Sequence, residues 1–440
     1  MSELPVAVIG AGPVGLAAAA HLLERDLDPL VLEAGDGPAH AVSQWGHVRL
    51  FSAWPELIDP AAARLLAPSG WTAPVEGYPT AAEWIAIYLR PLAEALRGHV
   101  RYSSQVTGVS RRGRDRLVDA GRAEQPFTVH ITGPGDAESR LEARALIDAS
   151  GTWGQPAPAG ADGLPALGER AAAGILSYKL PSFEPEQALA GEHTVVLGSG
   201  HSALTAIIEL ARIVQEYPGT TVSWALRRGG IGTAFGGGDG DELPERGALG
   251  IRARQAVEAG LVDVVTGFRT ERVQQALGGG VVLVSEDGRS LPAADRVLVL
   301  TGFRPDLSFL SEMRLELDVT LQAPVKLAAE IDPNLHSCGD VAATGAADLL
   351  HPEPDLYLAG MKSYGRAPTF LAMTGYEQVR SIAAELAGDH EAAARVELVL
   401  PDTGVCGGTG LFDEPAGVSD GGCCAPAPQI VQIGHAAAGG

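Results

Sequence analysis

Gly10-Ala11-Gly12-Pro13-Val14-Gly15 and Gly198-Ser199-Gly200-His201-Ser202-Ala203 each follow an apolar run of β type, Val6-Ala7-Val8-Ile9 in the first case and Thr194-Val195-Val196-Leu197 in the second. Small residues at this spacing let a backbone turn approach a pyrophosphate, and the helix that opens there points free N–H groups and its dipole at the anion. One such turn is weak evidence. Two of them, each between a strand and a helix, predict two dinucleotide sites.

The surroundings sort the two sites. After the first turn the sequence predicts a helix over Leu16 to Leu23 and a strand at Val31-Leu32-Glu33. Gly10, Gly12, Pro13 and Gly15 then form the cradle, and Glu33 arrives where a carboxylate accepts from the ribose hydroxyls of an unphosphorylated dinucleotide. This site is assigned to FAD. After the second turn come a helix over Ala203 to Val214 and a strand over Thr221 to Leu226 that ends in Arg227-Arg228 in place of an acid. Guanidinium groups grip a 2′-phosphate that a carboxylate would repel, so Gly198, Gly200, His201, Ser202, Arg227 and Arg228 are assigned to NADPH. A solvated strand edge is the alternative for the arginines.

Val100-Arg101-Tyr102 and Phe127 to Ile131 read as strands of an antiparallel insertion, and Leu146 to Gly151 as a buried strand ending in a turn. Arg296 to Asp306 repeats that design before the chain reaches His336-Ser337-Cys338-Gly339-Asp340-Val341. The expected fold is α/β, with two Rossmann-like, three-layer ββα domains, the NADPH domain inserted into the FAD domain. The expected boundaries are 1–160 and 301–395 for FAD, 161–300 for NADPH, and 396–440 for a Gly/Pro/Cys-rich tail. Gly229 to Asp241 is so rich in glycine that ordering it is costly in entropy, which predicts a mobile loop, either a lid or a plain linker. Thr369 to Leu386 reads as a helix.

The net charge of −22 opposes electrostatic attachment to nucleic acid or anionic lipid. No secretion signal precedes the first strand and no apolar run approaches the ~20 residues of a membrane span. Four cysteines in 440 residues do not make a disulfide scaffold, so a cytoplasmic setting is expected. The expected partner is a small-molecule substrate, with pairing of two chains left open.

These motifs resemble those of two-dinucleotide flavoproteins, and among them the flavin-containing and Baeyer–Villiger-type monooxygenases. The resemblance runs to about residue 395. Besides the two turns it rests on Ala149-Ser-Gly151-Thr-Trp153-Gly-Gln-Pro156, on the turn at Gly302 within Thr301 to Asp306, and on Cys338-Gly339-Asp340. It implies that Gly339 and Asp340 meet the ribityl chain of FAD; a helix N-cap is compatible with the same aspartate.

Two runs, Ser43-Gln-Trp45-Gly-His-Val-Arg49-Leu-Phe-Ser and Gly360-Met-Lys362-Ser-Tyr364-Gly-Arg366-Ala-Pro-Thr-Phe370, are similar to those of flavoprotein monooxygenases from bacterial arsenic-resistance gene clusters. That narrower resemblance implies Trp45, Arg49, Lys362, Tyr364 and Arg366 around the flavin. The alternatives are core packing for the aromatics and surface positions for the cations.

One departure stands out. The family's fingerprint histidine before the second turn is missing, because Gly174-Ile-Leu-Ser177-Tyr178-Lys179-Leu-Pro occupies its place. FAD and NADPH binding are untouched by that loss, whereas oxygen transfer is put in question.

The resemblance implies hydride transfer from NADPH to flavin, then oxygen transfer from a peroxyflavin to sulfur or trivalent arsenic, in an arsenic-detoxifying context. Arg49, Lys362, Tyr364 and Arg366 are the candidates for positioning it. A disulfide or metalloid reductase is the competing class. Thiolates at Cys406, Cys423 and Cys424 could converge on a soft metalloid, but neither nucleotide domain holds a Cys-x-x-Cys pair. A slow flavin redox sensor is the third.

Overall fold

The computed structural model describes residues 4–333, 343–368 and 370–398. Cys338, Gly339, Asp340, Cys406, Cys423 and Cys424, with the assignments made for them, lie outside the described residues.

Fifteen strands are named in chain order: β1 Val6–Ile9, β2 Pro29–Leu32, β3 Val100–Arg101, β4 Gln105–Arg111, β5 Phe127–Thr132, β6 Glu138–Ala143, β7 Ala145–Asp148, β8 Leu176–Ser177, β9 His193–Leu197, β10 Thr221–Ala225, β11 Asp263–Val265, β12 Thr270–Gln275, β13 Val281–Ser285, β14 Arg296–Val299 and β15 Leu356–Leu358. The longer helices are α1 Pro13–Leu23, α2 His201–Glu216, α3 Pro244–Glu258 and α4 Ala372–Leu386.

Two parallel five-stranded sheets organise the molecule, ordered β15-β7-β1-β2-β3 and β11-β10-β9-β14-β8. The first draws strands from both ends of the described chain and the second only from its middle, so the second sheet belongs to an insertion. Continuous apolar runs such as Val6 to Ile9 suit strands covered on both faces. Val6 and Val8 face the helical side with α1 and α4, while Ala7 and Ile9 pack against the antiparallel sheet β4-β5-β6. The second sheet repeats the sandwich: Val196 meets α2, and Val195 and Leu197 meet the hairpin β12-β13. Both units therefore have the ββα layering.

Helix α1 opens with Pro13 at its first position, where the missing N–H costs nothing, and Val14 to Leu22 are all buried. Gly375 of α4 makes this packing close, since a Cβ there would stand 2.6 Å from Val14 Cγ2.

Two expectations are corrected. Val100–Arg101 is not part of the antiparallel insertion; it runs parallel to β2 as the edge of the first sheet. The reason is hydrogen bonding, because the β2 edge donates from Val31 N to His99 O and from Glu33 N to Arg101 O. A two-residue strand carries too little side-chain alternation to reveal this.

The Gly229 to Asp241 segment is docked instead of forming an open loop, with short 3-10 turns at Gly232–Phe235 and Gly238–Gly240. Phe235 is buried against Trp224, with ring centroids 5.9 Å apart. Asp241 and Arg246 form a buried pair at 2.6 Å. Glycines on α3 permit the approach: a Cβ on Gly250 would stand 1.8 Å from Phe235 O, and one on Gly247 2.1 Å from Gly238 O.

Candidate active site

At the first turn, Gly10 takes φ +98°, and a Cβ on Gly15 would lie 1.9 Å from Gly10 O. Gly12 is different: its Cβ position meets no atom within 4 Å. Outer glycines thus make the turn possible, and the middle one leaves a bare backbone face. Glu33 is buried beneath it, its Oε2 accepting from Ala11 N and its Oε1 from Gly35 N, both at 2.7 Å. The acid fastens the turn and keeps lone pairs for hydroxyl donors. A cavity of about 190 Å³ is lined by Gly10, Glu33, Ser104, Ser150, Gly151 and Lys362 among others. The bare face at Gly12 and the anchored carboxylate fit the adenosine diphosphate part of FAD.

Lys362 stands at one wall of this cavity, with its side chain 1% exposed. Its Nζ is 2.9 Å from Asp148 Oδ2, donates to Ser150 Oγ at 2.9 Å, and sits 4.7 Å from the Phe309 ring centroid. Asp148 Oδ1 accepts from Ser150 N and Oγ, which shapes the turn into Gly151 (φ +68°). Burial works to raise the Asp306 carboxyl, but hydrogen bonds from Ser308 and the Lys362 charge hold it below the usual range.

The other candidates of that run have separate surroundings. Tyr364 is buried in the first core edge-on to Phe370, and burial pushes its phenol up. Arg366 is exposed and donates from Nε to Gln322. Arg49 is exposed and turned to Tyr78 O and Glu83. Trp45 is half-buried at 6.4 Å from Trp153. Lys362 alone of the four catalytic candidates lines the cavity.

The second turn repeats the geometry with one change. Gly198 takes φ +119°, and a Cβ there would stand 2.1 Å from Leu300 O; the Gly200 face is open. Buried Ala203 replaces the third glycine. Trp224 Nε1 donates to Gly198 O at 2.7 Å and braces the turn. His201 and exposed Ser202 begin α2. Burial and the Arg246 charge, against the opposing pull of Asp241, lower the His201 imidazole to about 4, so it is neutral beside the turn.

Arg227 and Arg228 follow β10. Partial burial lowers both guanidinium pKa values, and the neighbouring Arg228 charge lowers that of Arg227 further. Arg227 also donates to Ala161 O. A dianionic phosphate would relieve this crowding of positive charge.

The connections between the domains run side by side. Ala157 N donates to Gly302 O at 2.9 Å, Arg304 N to Gln155 O at 2.8 Å, and Pro156 pairs with Phe303 as an antiparallel bridge. Gly302, at φ +97°, makes the return turn. Phe51 of the first domain lies 4.9 Å from the His201 ring, so the first domain reaches the second turn.

Asp148, Phe51 and Lys179 were missed by sequence reasoning. Asp148 had a signal, an acid ending a buried strand; Phe51 and Lys179 had none beyond their neighbourhood. A larger cavity of about 540 Å³ takes no residue from either turn, and its His21–Asp59 and Arg380–Glu377 groups pair with each other. Among the described residues no cluster of His, Cys, Asp and Glu could hold a metal ion, and no helix is long and apolar enough to cross a membrane.

Residues 7–328 match the family model described as pyridine nucleotide-disulphide oxidoreductase. The chain belongs to this family. It is accordingly an oxidoreductase, and the family's cofactor pair, FAD and a nicotinamide dinucleotide, is the one its two turns are shaped to hold.

Solved structures of similar fold include the bacillithiol disulfide reductase of Bacillus cereus, at 20% identity, covering 88% of this chain and 99% of that one, with a TM-score of 0.65. The flavin-containing monooxygenase of Stenotrophomonas maltophilia has 22% identity, 90% and 100% coverage, and a TM-score of 0.54. The FAD-bound cadaverine monooxygenase DfoA of Erwinia amylovora has 14% identity, 92% and 99% coverage, and a TM-score of 0.60. The family fold thus serves both reductases and oxygenases.

Proposed function

We propose that this family member is an FAD- and NADPH-dependent oxidoreductase of monooxygenase type, acting on a soft nucleophile, sulfur or trivalent arsenic. One observation carries the choice over a dithiol reductase: no cysteine occurs before Cys338, and neither nucleotide domain contains a cysteine pair. The nucleotide domains themselves therefore offer electrons on the flavin no dithiol to enter.

Bound FAD would supply hydride acceptance and oxygen activation. The chain's own groups bind and orient. Glu33 accepts from the ribose of FAD, the bare backbone at Gly12 and the N-terminus of α1 face its pyrophosphate, and Lys362 holds the Asp148–Ser150 turn. At the second site Gly200 and the N-terminus of α2 face the pyrophosphate of NADPH, and Arg227 and Arg228 take its 2′-phosphate. The arsenic context rests on the resemblance of the Ser43 and Gly360 runs and on the affinity of tail thiolates for soft ions.

The test is to reduce the purified yellow protein with NADPH without oxygen, then mix it with aerated buffer containing a thioether or a trivalent arsenical. Product carrying one added oxygen per NADPH is expected. Oxygen-independent reduction of a disulfide or metalloid would move the assignment to a reductase; release of hydrogen peroxide at a rate no substrate changes would favour the sensor.

A further inference from the structure

Trp153 leaves the first domain in one connection and Phe303 returns in the other, and their rings stack with centroids 4.8 Å apart. Trp45 adds a third half-buried ring 6.4 Å from Trp153. Lys179 places Nζ 4.8 Å from the Trp153 ring centroid. Trp153, Phe303 and Lys179 each lie a few residues beyond the carboxyl end of a strand, β7, β14 and β8. Open parallel sheets bind ligands at those ends.

Two donors converge on one neutral oxygen here. Lys179 Nζ donates to Gln44 Oε1 at 2.6 Å, and Trp153 Nε1 donates to the same atom at 2.9 Å. Among the described residues no carboxylate forms an ion pair with Lys179, although the chain has 54 acidic side chains. The chain's other two lysines differ: Lys362 faces Asp148, and Lys326 donates to a backbone carbonyl. Tyr178, next to Lys179, commits its hydroxyl to Glu169. The amide oxygen of Gln44 thus occupies an acceptor position where a carboxylate would bind more strongly, since it adds the attraction of opposite charges to a hydrogen bond that the ammonium now makes to a neutral oxygen.

We infer that this shelf is the site of an aryl carboxylate substrate. The aryl body packs beside Trp45 against the stacked Trp153–Phe303 pair, and the carboxylate displaces Gln44 Oε1 between Lys179 Nζ and Trp153 Nε1. Calling the ligand a substrate rests on the oxygenase reading; its binding does not.

The experiment uses the FAD-loaded, oxidised protein without NADPH. Tryptophan fluorescence and equilibrium dialysis measure the Kd of para-methylthiobenzoate and of its uncharged counterpart thioanisole. The carboxylate is expected to bind at least about tenfold more tightly. Lys179→Gln should erase that preference while Lys179→Arg retains it, with flavin content and melting temperature checked for both. Trp45→Ala should weaken both probes.

Equal binding of the two probes, no binding of either, or a Lys179→Gln effect confined to NADPH would overturn the assignment. Preferential binding without sulfoxide formation on NADPH addition would retain the shelf and sink the oxygenase reading instead.

Discussion

The two glycine-rich turns start from the same plan and end in different environments. The first is enclosed except at the open face of Gly12: α1 is buried from Val14 to Leu22, a Cβ on the third glycine would touch backbone, and Glu33 pins the turn from below. At the second, alanine replaces that glycine, Ser202 is exposed, and two arginines stand at the strand end. Such a contrast suits a cofactor that stays at one site and a nucleotide that comes and goes at the other.

The largest effect is expected at the third position. Gly15→Ala drives a methyl into Gly10 O and should cost more than about 3 kcal/mol, with loss of bound flavin, in a urea titration. Ala203→Gly at the equivalent place should cost only about 0.5–1 kcal/mol. Similar losses for the two would erase the distinction between the turns.

Lys362→Met strands Asp148, which is fully buried, and should destabilise by about 3–5 kcal/mol. Adding Asp148→Asn should restore a substantial part, which a double-mutant cycle would read. At the open middle positions a methyl has room, so Gly12→Ala and Gly200→Ala should leave the melting temperature of the cofactor-free protein unchanged. The first should lower flavin content and the second should raise KM for NADPH. Replacing Arg227 and Arg228 together by serine should raise KM for NADPH about 10- to 100-fold and leave NADH unaffected.

The smallest effect is a pH slope. His201 and His351 are both lowered from 6.5 to about 4 in the folded chain, chiefly by burial. Between those values the unfolded chain binds more protons, so stability rises with pH across the window and is lost as pH falls towards 4. Denaturant midpoints at several pH values should show this. His201→Asn and His351→Asn should each flatten it, and the double replacement should flatten it most.

Much of the nucleotide framework was legible because it is local. A turn between an apolar run and a helix is written in about ten consecutive residues, and Glu33 lies one strand further on. What failed to show depended on distant partners. β3 is placed by the open edge of β2, and the glycine-rich segment after Arg228 is docked because α3 presents glycines to it. Lys362 was singled out from its run, and Asp148 ends a visibly buried strand, but nothing local links two residues 214 positions apart into one pair. The shelf around Trp153 gathers residues from four separate segments, so no single stretch could announce it.

The zipped connections have a consequence for the protein as a piece of architecture. Because Gln155 and Ala157 on the way out are hydrogen-bonded to Arg304 and Gly302 on the way back, the inserted unit enters and leaves through one doorway. A cassette whose ends are fastened together can be cut out and its stumps joined by a short turn without pulling on the first sheet. It can equally be traded for a cassette from another reductase or oxygenase, which makes the nucleotide preference of this molecule a transplantable property.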